Sequence, residues 1–264
     1  MRKFIIFIAL IYLSACTQVP ITGRNQFIAI PSSEINALGI DSYTQIVKQE
    51  GLSKNNEYIN QVRRVGVKIT AAVETFLQQN NLEGRIQDYQ WEYNVLASEQ
   101  LNAFALPGGK IAFYEGIMPV CHDDIGVAVV MSHEIAHAVA RHGNERMSQA
   151  LLVNMGGIAL SEAISTQPQM TQDLAMAAFG VGAQVGVMLP YSRLHESEAD
   201  ELGLYFMALA GYDPRKAPEF WTRMMGEGGE RPPEFLSTHP DPENRIKDLN
   251  NHMAKAMQYY EEGN

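Results

Sequence analysis

Three scarcities in this chain each close off a reading. Cysteine is nearly missing: Cys16 and Cys121 are the two in 264 residues, too few for a disulfide-stapled scaffold. Basic charge is short. Lys+Arg 20 stand against Asp+Glu 30, a formal net charge of -10, so no cation surplus is left to neutralise phosphates and no nucleic-acid partner is expected. Long apolar runs are also missing. The stretch 4–13 spans about 15 Å as a helix, half of a ~30 Å hydrocarbon core. The stretch 174–189, which contains Gln184, reaches about 24 Å and falls marginally short of a bilayer. It reads as a buried or groove-lining helix, with an apolar surface helix dipping into a membrane as the alternative. The balance that remains, 46% hydrophobic and 19% charged, is that of a globular chain and excludes disorder.

The first residues read as a leader rather than as fold. Arg2 and Lys3 precede the apolar run, which ends in Leu13, Ser14, Ala15 and Cys16, an export-signal pattern over residues 1–15. The ending is similar to a bacterial lipoprotein box. That resemblance implies cleavage before Cys16, a lipid on Cys16 and membrane attachment through it. Thr17 in place of Asp then implies the bacterial periplasm, at the inner face of the outer membrane. An ordinary signal peptide, with Ser14 and Ala15 as its small cleavage-site residues, is the alternative. Residues 16–31, with Pro20, Gly23 and Pro31, read as an irregular tether, and 32–264 as one domain. Cys121 is then left without an intramolecular partner and reads as a small buried hydrophobe.

Periodicity sorts the remainder into an α+β, mainly α fold. Ser32 or Ser33 can cap a helix to about Glu50. Ile59, Val62, Val65, Ile69, Val73 and Phe76 recur at three- and four-residue steps, predicting an amphipathic helix over 56–79. The period then changes: Trp91, Tyr93 and Val95 alternate with polar residues, and two further short strands flank Pro107, Gly108 and Gly109. A small antiparallel sheet of about three strands fits. Everything after Asp123 reads helical.

The chemistry concentrates in one of those helices. Asp124 can cap it, and Arg141, His142 and Gly143 form a cationic last turn and a C-terminal glycine. Inside lie His133 and His137, four residues apart, so that both imidazoles can reach one ion. Glu134, next to His133, projects beside that ion and can take a proton from water there. One Zn2+ per chain suits this set, since zinc takes nitrogen and oxygen ligands and lowers the pKa of water to about 7. A catalytic zinc needs a third protein ligand. Downstream, Glu196 and Asp200 again lie four apart; one can ligate while the other hydrogen-bonds a ligand histidine. Glu198 lies about 160° from that face by helical geometry and reads as solvated.

These motifs resemble the zinc metallopeptidases that include the CAAX prenyl endopeptidase, HtpX and the mitochondrial Oma protease, and most closely their periplasmic bacterial lipoprotein branch. The resemblance covers about residues 20–250. It rests on Pro20 to Arg24, on Asn102, Ala103 and Phe104 with Pro107–Gly109, and on the His-Glu-Ile-Ala-His helix. It rests also on Ser192, Arg193, Glu196, Ala199 and Asp200, and on Ser237, Thr238, His239 and Pro240 with Arg245. It implies a zincin-like fold with the sheet beside the motif helix, Glu196 as third ligand, Glu134 as general base and Asp200 as a partner behind the ligands. It further implies that His239 can occupy the open zinc position and hold the enzyme latent, or else lie near the metal without touching it. Arg245 can stabilise the oxyanion, or pair with a carboxylate.

The expected activity is peptide hydrolysis, with substrate adding as a strand along Asn102, Ala103 and Phe104. Strand addition reads backbone, so the expected substrates are unfolded or misassembled envelope proteins, in protein quality control. Two alternatives carry other chemistry: an assembly factor working with the outer-membrane assembly machinery with little proteolysis, and a zinc hydrolase of a non-peptide envelope substrate.

Overall fold

The computed structural model describes residues 16–183, 189–226, Phe235, His239 and 242–263. The leader reading therefore lies outside the described residues, as do Thr238 and Pro240 of the motif around His239. The chain divides into two compact units: residues up to Pro31 with Arg141–Leu194, and Ser32–Ala140 with His195–Asn264.

In the first unit, the segment expected to be an irregular tether is instead a two-stranded antiparallel ladder. Strand β1 (Cys16–Gln18) pairs with β2 (Asn25–Phe27), Cys16 opposite Phe27. Three-residue strands carry too little alternation to be read, and what holds them comes from 121 residues away. Arg24 donates from Nη1 and Nη2 to the two carboxylate oxygens of Glu145, at 2.8 and 2.7 Å. Glu145 is almost fully buried, and Gln26 donates to it as well. Ile21 and Gly23, both at φ 65°, make the tight turn that presents Arg24. Removing one partner of a buried pair strands the other charge. Arg24→Ala is expected to cost about 3 kcal/mol, seen as faster amide exchange in the turns around Glu145.

Glu145 belongs to α5 (His142–Ala163), which forms a hairpin with α6 (Gln169–Ala183). Its base, through Ser148 and Asn144, is hydrogen-bonded to Ala29 and Ile30. Beyond the base the apolar side chains stay exposed, Ile158 at 71% and Leu174 at 67%. Of the stretch 174–189, residues 184–188 lie outside the described residues; in the described part Phe179, Gly182 and Ala183 line a groove, and none of α6 is buried. No helix among the described residues is long and apolar enough to cross a membrane.

The second unit opens with α1 (Ser32–Glu50) and α2 (Asn56–Gln79). Asn55 caps α2, its side chain accepting from the N–H of Glu57 and Tyr58. Val62, Val65, Ile69, Val73 and Phe76 form its buried stripe. Strands β3 (Glu92–Leu96), β4 (Ala103–Leu106) and β5 (Lys110–Tyr114) form the sheet. Its order is β3-β5-β4, and it is mixed rather than antiparallel: β5 pairs parallel with β3 and antiparallel with β4. The tight turn determines β4 against β5, with Gly108 at φ 89° and Gly109 at φ 82°, values that favour glycine. That leaves the far edge of β5 for β3, which can join it only in the same direction. Alternation reports strands, not their order.

The short α3 (Met118–Cys121) leads into α4 (Asp124–Val139), buried from Gly126 to its end. Its cap is Asp123, not Asp124: the Asp123 carboxylate accepts from Gly126 N–H, while Asp124 pairs with Arg64. Its C-terminal break comes at Arg141, in the left-handed region at φ 61°, rather than at Gly143. Cys121 is buried and unbridged, its thiol pushed up by burial. From His195 the unit continues with the greater part of α7 (Leu189–Leu209), then α8 (Ala217–Gly226) and α9 (Pro242–Gly263). Helix α4 packs on α2, β4 and α8, so it is enclosed on most sides.

Candidate active site

The site starts from a helix that can afford to be buried only because its polar groups have partners. His133, Glu134 and His137 are among the buried residues of α4. Their partners arrive on α7, and a glycine lets them in. A Cβ built on Gly203 would stand 3.0 Å from the backbone of His133, so the two helices touch backbone to backbone there. Glu196 and Asp200, about two turns and one turn earlier on α7, are thereby laid over the histidines. Gly203→Leu is expected to force the helices apart, costing about 1–3 kcal/mol and lowering bound metal, read by melting temperature and metal stoichiometry.

Four side chains converge. The Nε2 atoms of His133 and His137 are 3.2 Å apart. Glu196 places Oε2 3.3 Å from His133 Nε2 and Oε1 3.4 Å from His137 Nε2. His239 brings Nδ1 to 3.2 Å from both His133 Nε2 and Glu196 Oε2. A tetrahedron with metal–ligand bonds of about 2.0–2.1 Å has edges of about 3.3–3.4 Å. The donor spacing fits that figure, and two nitrogens, a carboxylate oxygen and a third nitrogen are donors that zinc accepts. Among the described residues, His133, His137, Glu196 and His239 are the group able to hold a metal ion. Glu134 stands beside it, with Oε1 3.4 Å from His239 Nε2.

Behind the donors is a second set of charges. His133 Nδ1 is 2.9 Å from Asp200 Oδ1. Arg245, buried near the start of α9, donates from Nε to Asp200 Oδ2 at 2.7 Å and from Nη2 to Glu196 Oε2 at 2.9 Å. Its guanidinium lies 4.1 Å over the Trp221 ring. Of the two roles open to Arg245, the geometry therefore shows carboxylate pairing. Trp221 and Phe235 wall the site: Trp221 meets His133 edge-on at 5.4 Å between centroids, and Phe235 stacks on His239 at 4.5 Å. Neither was visible from spacing, since an isolated aromatic in a helical stretch carries no positional signal. Glu198, expected in solvent, is buried; α7 is packed on both faces, which helical phase alone cannot reveal.

The charges are arranged for metal chemistry. Burial works against a charged His133, but Asp200 and Glu196 outweigh it and push its pKa up to about 9. Burial likewise opposes ionisation of Glu196 and Asp200. It is overcome by His137 and the other histidines for Glu196, held well below the carboxylate range, and by Arg245 and His133 for Asp200. Burial pushes the Glu134 carboxyl up from the usual carboxylate range, against the lowering effect of His239 and His133.

The sheet presents one edge to this site. Tyr114 N–H donates to Asn102 O, so in the β4–β5 register residues 102, 104 and 106 turn their backbone groups to β5. Ala103 and Ala105 turn theirs outward. The outward N–H of Ala105 donates to the Glu134 carboxylate, and that of Ala103 to Asn102 Oδ1 at 2.9 Å. Their carbonyls face the sheet edge, on which no further strand pairs among the described residues.

Imidazoles and a carboxylate converging on one point, with an unshared carboxyl and an open strand edge alongside, are the equipment of a metal-dependent endopeptidase. The chain belongs to Peptidase family M48, whose profile matches residues 68–253. It is 30% identical over 266 residues to the mitochondrial metalloendopeptidase OMA1 of Saccharomyces cerevisiae, covering 96% of this chain and 74% of that one. The protein of the same name in Schizosaccharomyces pombe is 30% identical over 93% of this chain and 69% of its own. The beta-barrel assembly-enhancing protease of Escherichia coli is 29% identical over 61% of this chain and 34% of its own. These findings overturn the expected placement in the bacterial periplasm at the outer membrane. The relatives matched over nearly the whole chain are mitochondrial, while the bacterial protease is matched in part. A basic, then apolar leader reports transport chemistry in general and carries no address of its own.

Proposed function

We propose that this metalloendopeptidase uses zinc to cleave unfolded or misassembled proteins bound as an added strand along β4, and that His239 holds it latent. The spacing of His133, His137 and Glu196 as three corners of a zinc tetrahedron, with Glu134 beside them, carries the reading. Zinc, when bound, supplies a Lewis acid that polarises the scissile carbonyl and makes water acidic enough to attack near pH 7.

The chain's own residues do the rest. Substrate N–H groups bond to the outward carbonyls of Ala103 and Ala105, which register an extended chain against β4. Glu134, aimed by Ala105 N–H, accepts the proton of the attacking water and passes it to the leaving amine. Asp200 orients His133 through Nδ1. Arg245 is a positioning residue that clamps Asp200 and Glu196 together. A folded protein cannot offer a free strand here, so unfolded chains are the substrates.

The test is casein cleavage by the purified full chain. Chelation is expected to abolish it, and one equivalent of zinc to restore it. A disulfide-rich protein should be cut when reduced and alkylated but not when native. Cleavage indifferent to chelator, or equal for native and unfolded forms, contradicts the proposal. The second reading, an assembly factor with little proteolysis, is favoured by one observation: His239 stands at the fourth corner.

A further inference from the structure

Behind the converging donors lies a buried cation whose partners are uneven. Arg245 is 2% exposed. Its Nε donates to Asp200 Oδ2 at 2.7 Å and its Nη2 to Glu196 Oε2 at 2.9 Å. Its Nη1 is buried and has no hydrogen-bond partner among the described residues. A buried guanidinium with an unmet N–H is unfavourable unless something else meets its charge. What lies against it is the indole of Trp221, whose ring centroid is 4.1 Å from Arg245 Cζ. That is well inside the ~6 Å at which a cation is held by the negative face of an aromatic ring.

The geometry defines what the ring adds. Two hydrogen bonds fix two points of a planar group and leave it free to swing about the line between them. An aromatic face stacked on the plane stops that swing. The same guanidinium serves Glu196, a donor carboxylate, and Asp200, which stands 2.9 Å from His133 Nδ1. A swing of the cation therefore disturbs two donors at once, Glu196 directly and His133 through Asp200. Trp221 also meets His133 itself, edge-on at 5.4 Å. A plain core role is the alternative, since Trp221 is 1% exposed and packs edge-on against Phe220 at 5.3 Å. The two roles ask different things of the ring: filling space needs its size, and holding Arg245 needs its π electrons.

We propose that Trp221 is a positioning residue for peptide cleavage, its indole face holding the Arg245 guanidinium where that one cation aligns Glu196 and, through Asp200, His133. The proposal rests on the reading of His133 and Glu196 as metal donors. Tryptophan presents the strongest cation-binding face of the aromatic side chains, so an apolar side chain of similar bulk does not replace it.

The test changes the ring's electrons and not its size. Fluorine on the indole draws electron density off the face at little cost in volume. The chain has two tryptophans, so Trp91→Phe leaves Trp221 as the single site of labelling. The full Trp91→Phe chain is made with tryptophan carrying no, one, two and three fluorines. Cleavage of an unfolded casein peptide is followed at equal zinc loading, and the melting temperature of the metal-free chain is read on the same preparations. The expected result is a stepwise fall in kcat, reaching about 3- to 30-fold at three fluorines, where about 30-fold corresponds to losing a whole desolvated cation–π contact. KM should stay within about twofold, because a residue this buried touches no substrate and its loss acts on the chemical step. The metal-free melting temperature should fall along the same series, and should stop responding to fluorine in Arg245→Leu. A kcat and a melting temperature both indifferent to fluorine overturn the proposal and leave Trp221 as core. So does a loss confined to KM, or an undiminished fluorine response in Arg245→Leu. Failure of the donor reading shows differently, as cleavage indifferent to chelator before any fluorine is introduced.

Discussion

Glu134→Gln is expected to lower peptide cleavage by about 10²–10⁴-fold, the usual worth of a general base, while bound zinc and melting temperature stay unchanged. The geometry separates the two readouts. Glu134 is not one of the four converging donors, so an amide in its place leaves the metal-binding set intact. Glutamine has the same shape and keeps an acceptor for Ala105 N–H, so β4 stays where it is. What it loses is the ability to hold a proton. Zinc stoichiometry, thermal unfolding and casein cleavage on the same preparation decide the matter. Activity within a factor of about two of wild type would remove Glu134 from the mechanism.

The parts of this protein that were legible in its sequence are those written in local periodicity. Helix α2 begins and ends where its apolar spacing does, because Val62, Val65, Ile69, Val73 and Phe76 pack a single face. The pairing of His133 with His137 follows from a four-residue step, and so does that of Glu196 with Asp200. What was not legible depends on contacts between distant segments. The parallel pairing of β3 with β5 is decided by which edge the β4–β5 turn leaves free. The strands around Arg24 depend on Glu145. Gly203 looks like any glycine in a helix until α4 is placed 3 Å from it. Burial of Glu198 and the wall of Trp221 and Phe235 are of the same kind: they belong to the second face of an element whose first face was the readable one.

The same limit applies to His239, and there the second large effect is expected. His239→Ala should raise cleavage of an unfolded substrate, by roughly 5–150-fold if its hold on the site is a coupling of about 1–3 kcal/mol. His239 Nδ1 sits among His133, His137 and Glu196 while its Nε2 faces Glu134. One ring thus fills the fourth corner and stands before the proton acceptor. Phe235 keeps it there: it stacks on the ring, its own N–H donates to Leu101 O, and its carbonyl accepts from His239 N–H. Leu101 lies two residues before β4, so Phe235, and His239 through it, are tied beside the edge that a substrate strand would take. On the proposed latency, a substrate strand on that edge competes with Phe235 for Leu101 O, so strand addition is expected to release His239 and a long extended substrate to act as its own activator. On that logic His239→Ala raises the rate most for short substrates, which cannot displace the segment, and least for long ones. A length series of unfolded peptides, cut by wild type and variant at equal zinc loading, measures this directly. A uniform gain across lengths would keep the block and discard the coupling. No gain, with zinc bound and no cleavage by either chain, would move the assignment to the assembly factor.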